Sequence, residues 1–344
     1  MSRPAAVEAE TVSTAELLVA SETNLNEHFG NCRHISALKR RPCPSSSSFA
    51  IELLELCFDD QTTLELVFKN LGQKALLREA CGVKPLFLYD PLREIEIYQK
   101  ILRGKFHGSA AHYGATVDHR LERYWLFLEK VPGVELYQVG DFLIWQRVAH
   151  SLAILHNSFT QRLDLLCQST HLLRYDDAFY RLFLRRAQTF LAEASPSLRN
   201  GMRKSLDWLA ERYEKVIEFL VALPATLIHG EFYPSNVLVD TVGGLRVCPI
   251  DWEMAGVGPG LIDLAALVAG KWTETEKEAL ALSYQAAMAP ETSLSAQDLL
   301  KALDYCRLHV AVQWLGWSQH WSPPPEHTQN WFSEAMRLAD KLKL

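Results

Sequence analysis

The stretch from Leu227 to Glu253 constrains this 344-residue chain more than any other. Gly243-Gly244 lies inside it and has the composition of a two-residue hairpin loop. Pairing around that loop sets Val242 opposite Leu245 and Thr241 opposite Arg246. The same register sets Asn236 opposite Asp251. An amide oxygen and a carboxylate then leave the open end of one hairpin side by side. Oxygen ligands of this kind suit Mg²⁺, which takes one or two carboxylates and fills its remaining positions with water and substrate phosphates. Glu231, in the loop entering the hairpin, is placed to sit beside such a metal without coordinating it.

Elsewhere the pattern divides in two. Residues 1–28 are polar and weakly patterned, the composition of a tail or a frayed helix. From Cys32 the chain reads as β. Cys32–Arg41 is a candidate first strand. Phe49–Phe58 and Thr62–Lys69 form a hairpin around Asp59-Asp60-Gln61, and Gly108–Asp118 and Arg123–Lys130 are two further strands. On the Thr62–Lys69 run, Leu64, Leu66 and Phe68 share one face, while Glu65, Val67 and Lys69 share the other, more polar one. A helix begins at Asp90-Pro91, an N-cap followed by proline at the first helical position. Beyond Gly133 the apolar period predicts helices over Phe142–Phe159, Ala178–Glu193, Ser197–Leu223, Leu261–Lys271, Glu274–Ala287, Ala296–Trp317 and Asn330–Leu342. The boundaries that follow are a polar tail over 1–28, a first lobe over 29–133 and a second over 134–344, with a ligand cleft expected between the lobes.

Composition closes several alternatives. With 35 Lys and Arg against 41 Asp and Glu, the net charge of −6 argues against a chain built to hold nucleic acid. No apolar run approaches the ~20 residues that span a bilayer, so no membrane partner is expected. Met1–Glu10 lacks the apolar stretch of a secretory signal. Seven cysteines, an odd number without a C-x-x-C spacing, suit reduced thiols and a cytoplasmic protein. His229-x-Glu231 lacks the P-C-x-x-C of a zinc deaminase. Gly256, Gly258 and Gly260 are interrupted by Pro259 and open no βαβ unit.

His229-Gly230-Glu231 with Asn236, then Ile250-Asp251-Trp252-Glu253, then Asp263-Leu264-Ala265, resembles the aminoglycoside phosphotransferase/choline kinase family in order and spacing. The resemblance extends from about Cys32 to Trp321. It implies an α+β, two-lobed protein-kinase-like fold. A small, mainly antiparallel β lobe with one main helix would precede a larger helical lobe carrying a short catalytic hairpin. It also implies ATP- and Mg²⁺-dependent transfer of the γ-phosphoryl group to a hydroxyl of a small molecule, such as an aminoglycoside-like sugar or an amino alcohol. On this resemblance Asn236 and Asp251 are the metal ligands. Lys69 meets the α- and β-phosphates, Glu94 holds Lys69, backbone at Glu129 and Val131 binds adenine, and Glu231 takes or orients the hydroxyl proton.

Two positions depart from the family pattern. Glu231 stands where the family carries aspartate, and the serine run including Ser46, Ser47 and Ser48 replaces a glycine-rich nucleotide loop. That run is either a phosphate lid or a plain loop. Glu79 and Glu96 rival Glu94, and Lys69 has the alternative of a solvated strand lysine. His229 and His156 read as structural, and Asp263 as a brace for the catalytic loop. Trp314, Trp317 and Trp321 form one helical stripe, read as core in preference to a substrate wall. A nucleotide-binding pseudokinase and a nucleotidyl transferase on the same fold remain open beside the kinase reading.

Overall fold

A computed structural model describes residues 12–43, 48–77, 80, 85–104, 108–193, 196–317 and 329–344. The chain divides into two units, Met1–Pro132 and Gly133–Leu344.

The first unit is built on a five-stranded antiparallel sheet in the order β1-β2-β3-β5-β4, with β1 Ile35–Pro42, β2 Ile51–Phe58, β3 Thr63–Asn70, β4 His112–Asp118 and β5 Arg123–Glu129. Its alternation buries Leu54, Leu56, Leu66, Phe68, Trp125 and Phe127 on one face. Helix α1 (Thr14–Phe29) covers that face with Leu17 and Leu25. Its first turn is capped by Ser13, and Gly30 closes it in the left-handed conformation at φ 66°. The sequence reads this stretch as a tail or a frayed helix. The inward stripe also contains Ser21 and Asn24, both buried, so the helix lacks a fully apolar face for the sequence to display. Helix α2 (Pro91–Glu96) starts as expected, with the Asp90 carboxylate accepting from Leu92 N–H at 2.9 Å. It then widens into a π turn over Ile97–Ile101.

The second unit is mainly helical: α3 Phe142–Thr160, α4 Leu163–Gln168, α5 Asp177–Glu193, α6 Pro196–Ala210, α7 Tyr213–Val221, α8 Leu261–Leu267, α9 Glu274–Gln285, α10 Ala296–Leu315 and α11 Trp331–Lys341. The single helix expected over 197–223 is broken by a turn at Glu211-Arg212, and the one expected to reach Lys271 stops at Leu267. Helix α10 is buried along most of its length and carries two charges inside, Asp304 and Arg307. Arg307 bonds Asp304 at 2.8 Å, Glu334 of α11 at 2.7 Å and Glu274 of α9 at 3.2 Å, so three helices share one ion-pair network. Two small sheets lie among the helices. One has the order β10-β9-β6 (β6 Val134–Glu135, β9 Val237–Asp240, β10 Arg246–Pro249). The other has the order β7-β11-β8 (β7 Leu173–Arg174, β8 Ala225–Ile228, β11 Gly256–Pro259). Among the described residues no helix is long and apolar enough to cross a membrane.

Candidate active site

Strand β8 delivers the chain into the loop from His229 to Asn236, and the loop is fixed by its backbone. The two Asp263 oxygens accept the amides of His229 and Gly230 at 2.7 and 2.8 Å. Asp263 sits in the first turn of α8, is fully buried, and meets His156 Nε2 at 3.2 Å. A fully buried carboxylate is tolerated because three N–H donors converge on it. Gly230 has φ 82°, and a Cβ there would lie 2.3 Å from the Tyr175 hydroxyl and 2.4 Å from the Met254 carbonyl. Only glycine permits that approach. His229 Nε2–H donates to the Ile250 carbonyl at 2.8 Å, while its Nδ1 accepts from Glu231 N–H at 3.3 Å. Both ring nitrogens are therefore spent on backbone, which makes His229 a structural tie between the loop and the chain leaving β10.

Glu231 is half-buried. Its carbonyl accepts from Tyr233 N–H at 2.7 Å and from the Asn236 side-chain amide at 3.0 Å. With the Asn236 NH₂ turned inward, its Oδ1 accepts no hydrogen bond among the described residues. Tyr233 is buried beside Glu231. Burial, helped by the Glu231 charge, pushes its phenol pKa well up.

The hairpin register differs by one residue from the sequence expectation. Asp240 faces Arg246 and Val237 faces Pro249, so the partner of Asn236 is Ile250, whose N–H donates to the Asn236 carbonyl at 2.9 Å. The loop has five residues, 241–245, instead of two. The Asp240 carboxylate accepts from Val242 N–H at 2.9 Å, an Asx turn that starts the reversal before the glycines. A one-residue slip normally turns a side chain to the opposite face. Here the ladder ends at Pro249, and Asp251 takes a left-handed conformation at φ 66°, so its direction is set outside the alternation. Asp251 thus follows directly on the residue bonded to Asn236.

An amide oxygen and a carboxylate on adjoining backbone are hard oxygen donors of the type Mg²⁺ takes when phosphates and water complete its shell. Among the described residues no group of three or more His, Cys, Asp or Glu is arranged to hold a metal. The donor set therefore fits an ion shared with a phosphorylated ligand and does not fit a closed protein cage.

In the first unit, Lys69 of β3 is buried, which sets aside the alternative of a solvated strand lysine. Its Nζ lies 2.7 and 2.9 Å from the two Glu94 oxygens, and the side chains are 5% and 3% exposed. The partner carboxylate is what makes burial of the ammonium tolerable. Of the two rivals, Glu96 faces Lys100 at 3.6 Å and Glu79 lies outside the described residues. At the end of β5, Glu129 N–H donates to the Ala111 carbonyl and its carboxylate accepts from Ala111 N–H, both at 2.9 Å. The Val131 N–H and carbonyl make no hydrogen bond among the described residues. Ser46 and Ser47 lie outside the described residues, and the Ser48 carbonyl accepts from Leu77 N–H at 3.0 Å.

Of the tryptophan stripe, Trp317 stacks on Phe183 with centroids 6.4 Å apart, as core. Trp314 lies 5.3 Å from Tyr233 and stacks on Trp331 at 5.4 Å. Trp321 lies outside the described residues. Tyr175 and Tyr284, which support the loop through Gly230 and His156, carry no sequence signal, because their partners are remote in the chain.

The sequence profile of a phosphotransferase enzyme family matches residues 90–298. No curated protein sequence gives a significant match. Among solved structures, a choline kinase from Cryptosporidium parvum superposes with a TM-score of 0.62 at 14% identity, over 96% of each chain. An aminoglycoside 2′-phosphotransferase-IIIa variant in complex with GDP gives 0.58 at 13% identity, covering 95% of this chain and 97% of that one. An ethanolamine kinase from Plasmodium vivax gives 0.53 at 14% identity, covering 89% and 82%. At these identities the likeness concerns the protein-kinase-like fold.

Proposed function

The chain belongs to the phosphotransferase enzyme family, and from that premise we propose that it moves the γ-phosphoryl group of ATP to a hydroxyl of a small molecule, with Mg²⁺ as the metal. The observation that carries this reading is the backbone-anchored loop. Asp263 pins its start, and the Glu231 carbonyl and Asn236 side chain fix its far end. The position of Glu231 along the chain is thereby fixed by hydrogen bonds to its own backbone N–H and carbonyl.

Phosphoryl transfer asks a protein chiefly for positioning and for charge neutralisation. Lys69, held by Glu94, binds the α- and β-phosphates. The Val131 N–H and carbonyl, with backbone at Glu129, meet the adenine edge, and Ser48 borders the phosphates. Glu231 takes the acceptor's hydroxyl proton as the new oxygen–phosphorus bond forms and the bond from the γ-phosphorus to the bridging oxygen breaks, releasing ADP. When bound, Mg²⁺ held by Asn236 Oδ1 and the Asp251 carboxylate would supply charge neutralisation on the phosphate oxygens. The structural neighbours are named for choline, ethanolamine and aminoglycosides, so amino alcohols and aminoglycoside-like sugars head the acceptor classes.

The test is calorimetry with ATP and GTP, with and without Mg²⁺, followed by product masses from a panel of hydroxylated amines. A gain of one phosphate on the acceptor supports the reading. A gain of a nucleoside monophosphate replaces it with nucleotidyl transfer. Nucleotide binding without any product makes the protein a pseudokinase, and the absence of nucleotide binding refutes all three.

A further inference from the structure

The brace behind the catalytic loop does not end at Asp263. Its third donor, His156, lies near the end of α3 and is itself held from two other elements. Thr226 Oγ1–H donates to the His156 carbonyl at 2.7 Å, and the Tyr284 hydroxyl of α9 stands 2.8 Å from His156 Nδ1. His156 Nε2 faces Asp263 at 3.2 Å. Tyr284, His156 and Asp263 are all buried. Gly260 seals the arrangement. A Cβ there would lie 2.6 Å from His156 Nδ1 and 2.9 Å from the Tyr284 hydroxyl oxygen, so the backbone presses directly on that hydrogen bond.

The proton positions follow from counting acceptors. Burial pushes the Tyr284 pKa up and the nearby Asp263 charge adds to this, so the phenol keeps its proton. His156 Nδ1 is the hydroxyl's hydrogen-bond partner among the described residues, so its proton goes there. A protonated Nδ1 would donate to the hydroxyl oxygen and leave the Tyr284 proton without an acceptor, at the cost of an unsatisfied buried polar group. His156 is therefore neutral with its hydrogen on Nε2, which donates to Asp263. The other tautomer would turn a lone pair toward the carboxylate and break the brace.

We propose that Tyr284 is a positioning residue for the catalytic loop. By donating to His156 Nδ1 it selects the tautomer whose Nε2–H holds Asp263, and Asp263 holds the His229 and Gly230 amides that set where Glu231 stands. The functional consequence rests on the phosphotransferase reading, whereas the tautomer and the loop anchoring do not.

The test uses ¹⁵N-histidine-labelled full-length protein, with the His156 resonances assigned through His156→Gln, together with amide hydrogen exchange. In the unaltered protein His156 shows the neutral Nε2–H pattern. In Tyr284→Phe, which keeps the ring and removes the donor, that pattern gives way to an imidazolium or mixed-tautomer pattern. Exchange at His229 and Gly230 accelerates by about fivefold or more, the effect of losing one buried hydrogen bond. The slowest amides elsewhere stay within twofold. Gly260→Ala, which wedges the bond and leaves the hydroxyl in place, produces the same local pattern. An Nδ1–H or imidazolium His156 in the unaltered protein overturns the proposal. So does unchanged exchange at His229 and Gly230 in Tyr284→Phe, or an acceleration shared equally by all amides, which marks Tyr284 as merely structural. If phosphotransfer is established, Tyr284→Phe lowers kcat with the MgATP Kd unchanged. A raised Kd at constant kcat contradicts a role in placing Glu231.

Discussion

Removing one member of the Lys69–Glu94 pair should damage the protein far more than removing both. With an N···O distance of 2.7 Å, an effective dielectric of about 20 gives a gross attraction of about 6 kcal/mol. The side chains are only 5% and 3% exposed, so the desolvation of two ions offsets most of that attraction. Lys69→Met therefore takes the paired ammonium from a buried carboxylate, and Glu94→Leu takes the paired carboxylate from a buried ammonium, each at about 3–5 kcal/mol. The double variant buries two apolar side chains of similar length and should lie within about 1 kcal/mol of the parent or above it. The assay is urea unfolding of all four proteins at pH 7, with MgATP binding measured alongside. The double variant should fold as well as the parent and lose nucleotide affinity, which separates what the pair does for stability from what Lys69 does for phosphate. Single substitutions costing under about 1 kcal/mol would mean that the pair behaves as a solvated surface bridge, and strictly additive costs would refute the coupling.

Glu231→Gln keeps the shape and removes the base, so turnover should fall by about 10²–10⁴-fold with nucleotide affinity preserved; full activity would remove Glu231 from the chemistry. Glu231→Asp retracts the carboxylate by roughly 1.5 Å, and steady-state kinetics should show it slower than the parent although aspartate is the family's usual residue. In thermal-shift titrations, ATP at ~100 times its Kd should stabilise the protein by roughly 2.7 kcal/mol, and Asp251→Ala should erase the Mg²⁺-dependent part. Burial pushes the Glu274 pKa up, but hydrogen bonds from Arg307 and Lys277 outweigh it and carry the pKa well below the usual carboxylate range. A pKa depressed in the folded state contributes stability above about pH 4.3, the unfolded value, and loses it as pH falls further toward the folded pKa. Glu274→Gln should therefore lower stability at pH 7 and flatten its decline below about pH 4, read by denaturant unfolding across pH.

What the sequence determined by itself is what short-range rules control. The Asp90-Pro91 start of α2 is legible because an N-cap bonds an amide two residues on. The strands of the first unit are legible because alternation reports a half-buried sheet, and the loop from His229 to Asn236 is legible as a linear pattern. Tertiary structure decided whatever depends on a partner distant in the chain. Lys69 shares a strand face with Glu65 and Val67 as alternation predicts, but its burial against Glu94, 25 positions away on another element, is set by packing. Helix α1 read as no more than a tail or a frayed helix because burying Ser21 and Asn24 leaves no fully apolar stripe. The hairpin slipped by one residue because Gly243-Gly244 permits a tight turn, but the Asp240 side chain closes a wider one first. Tyr284 reaches His156 across 128 residues, and nothing near either residue announces the contact. Backbone rules act between neighbours and are written locally, whereas the partner of a buried charge or hydroxyl is chosen by packing, and packing exists only once the chain has folded.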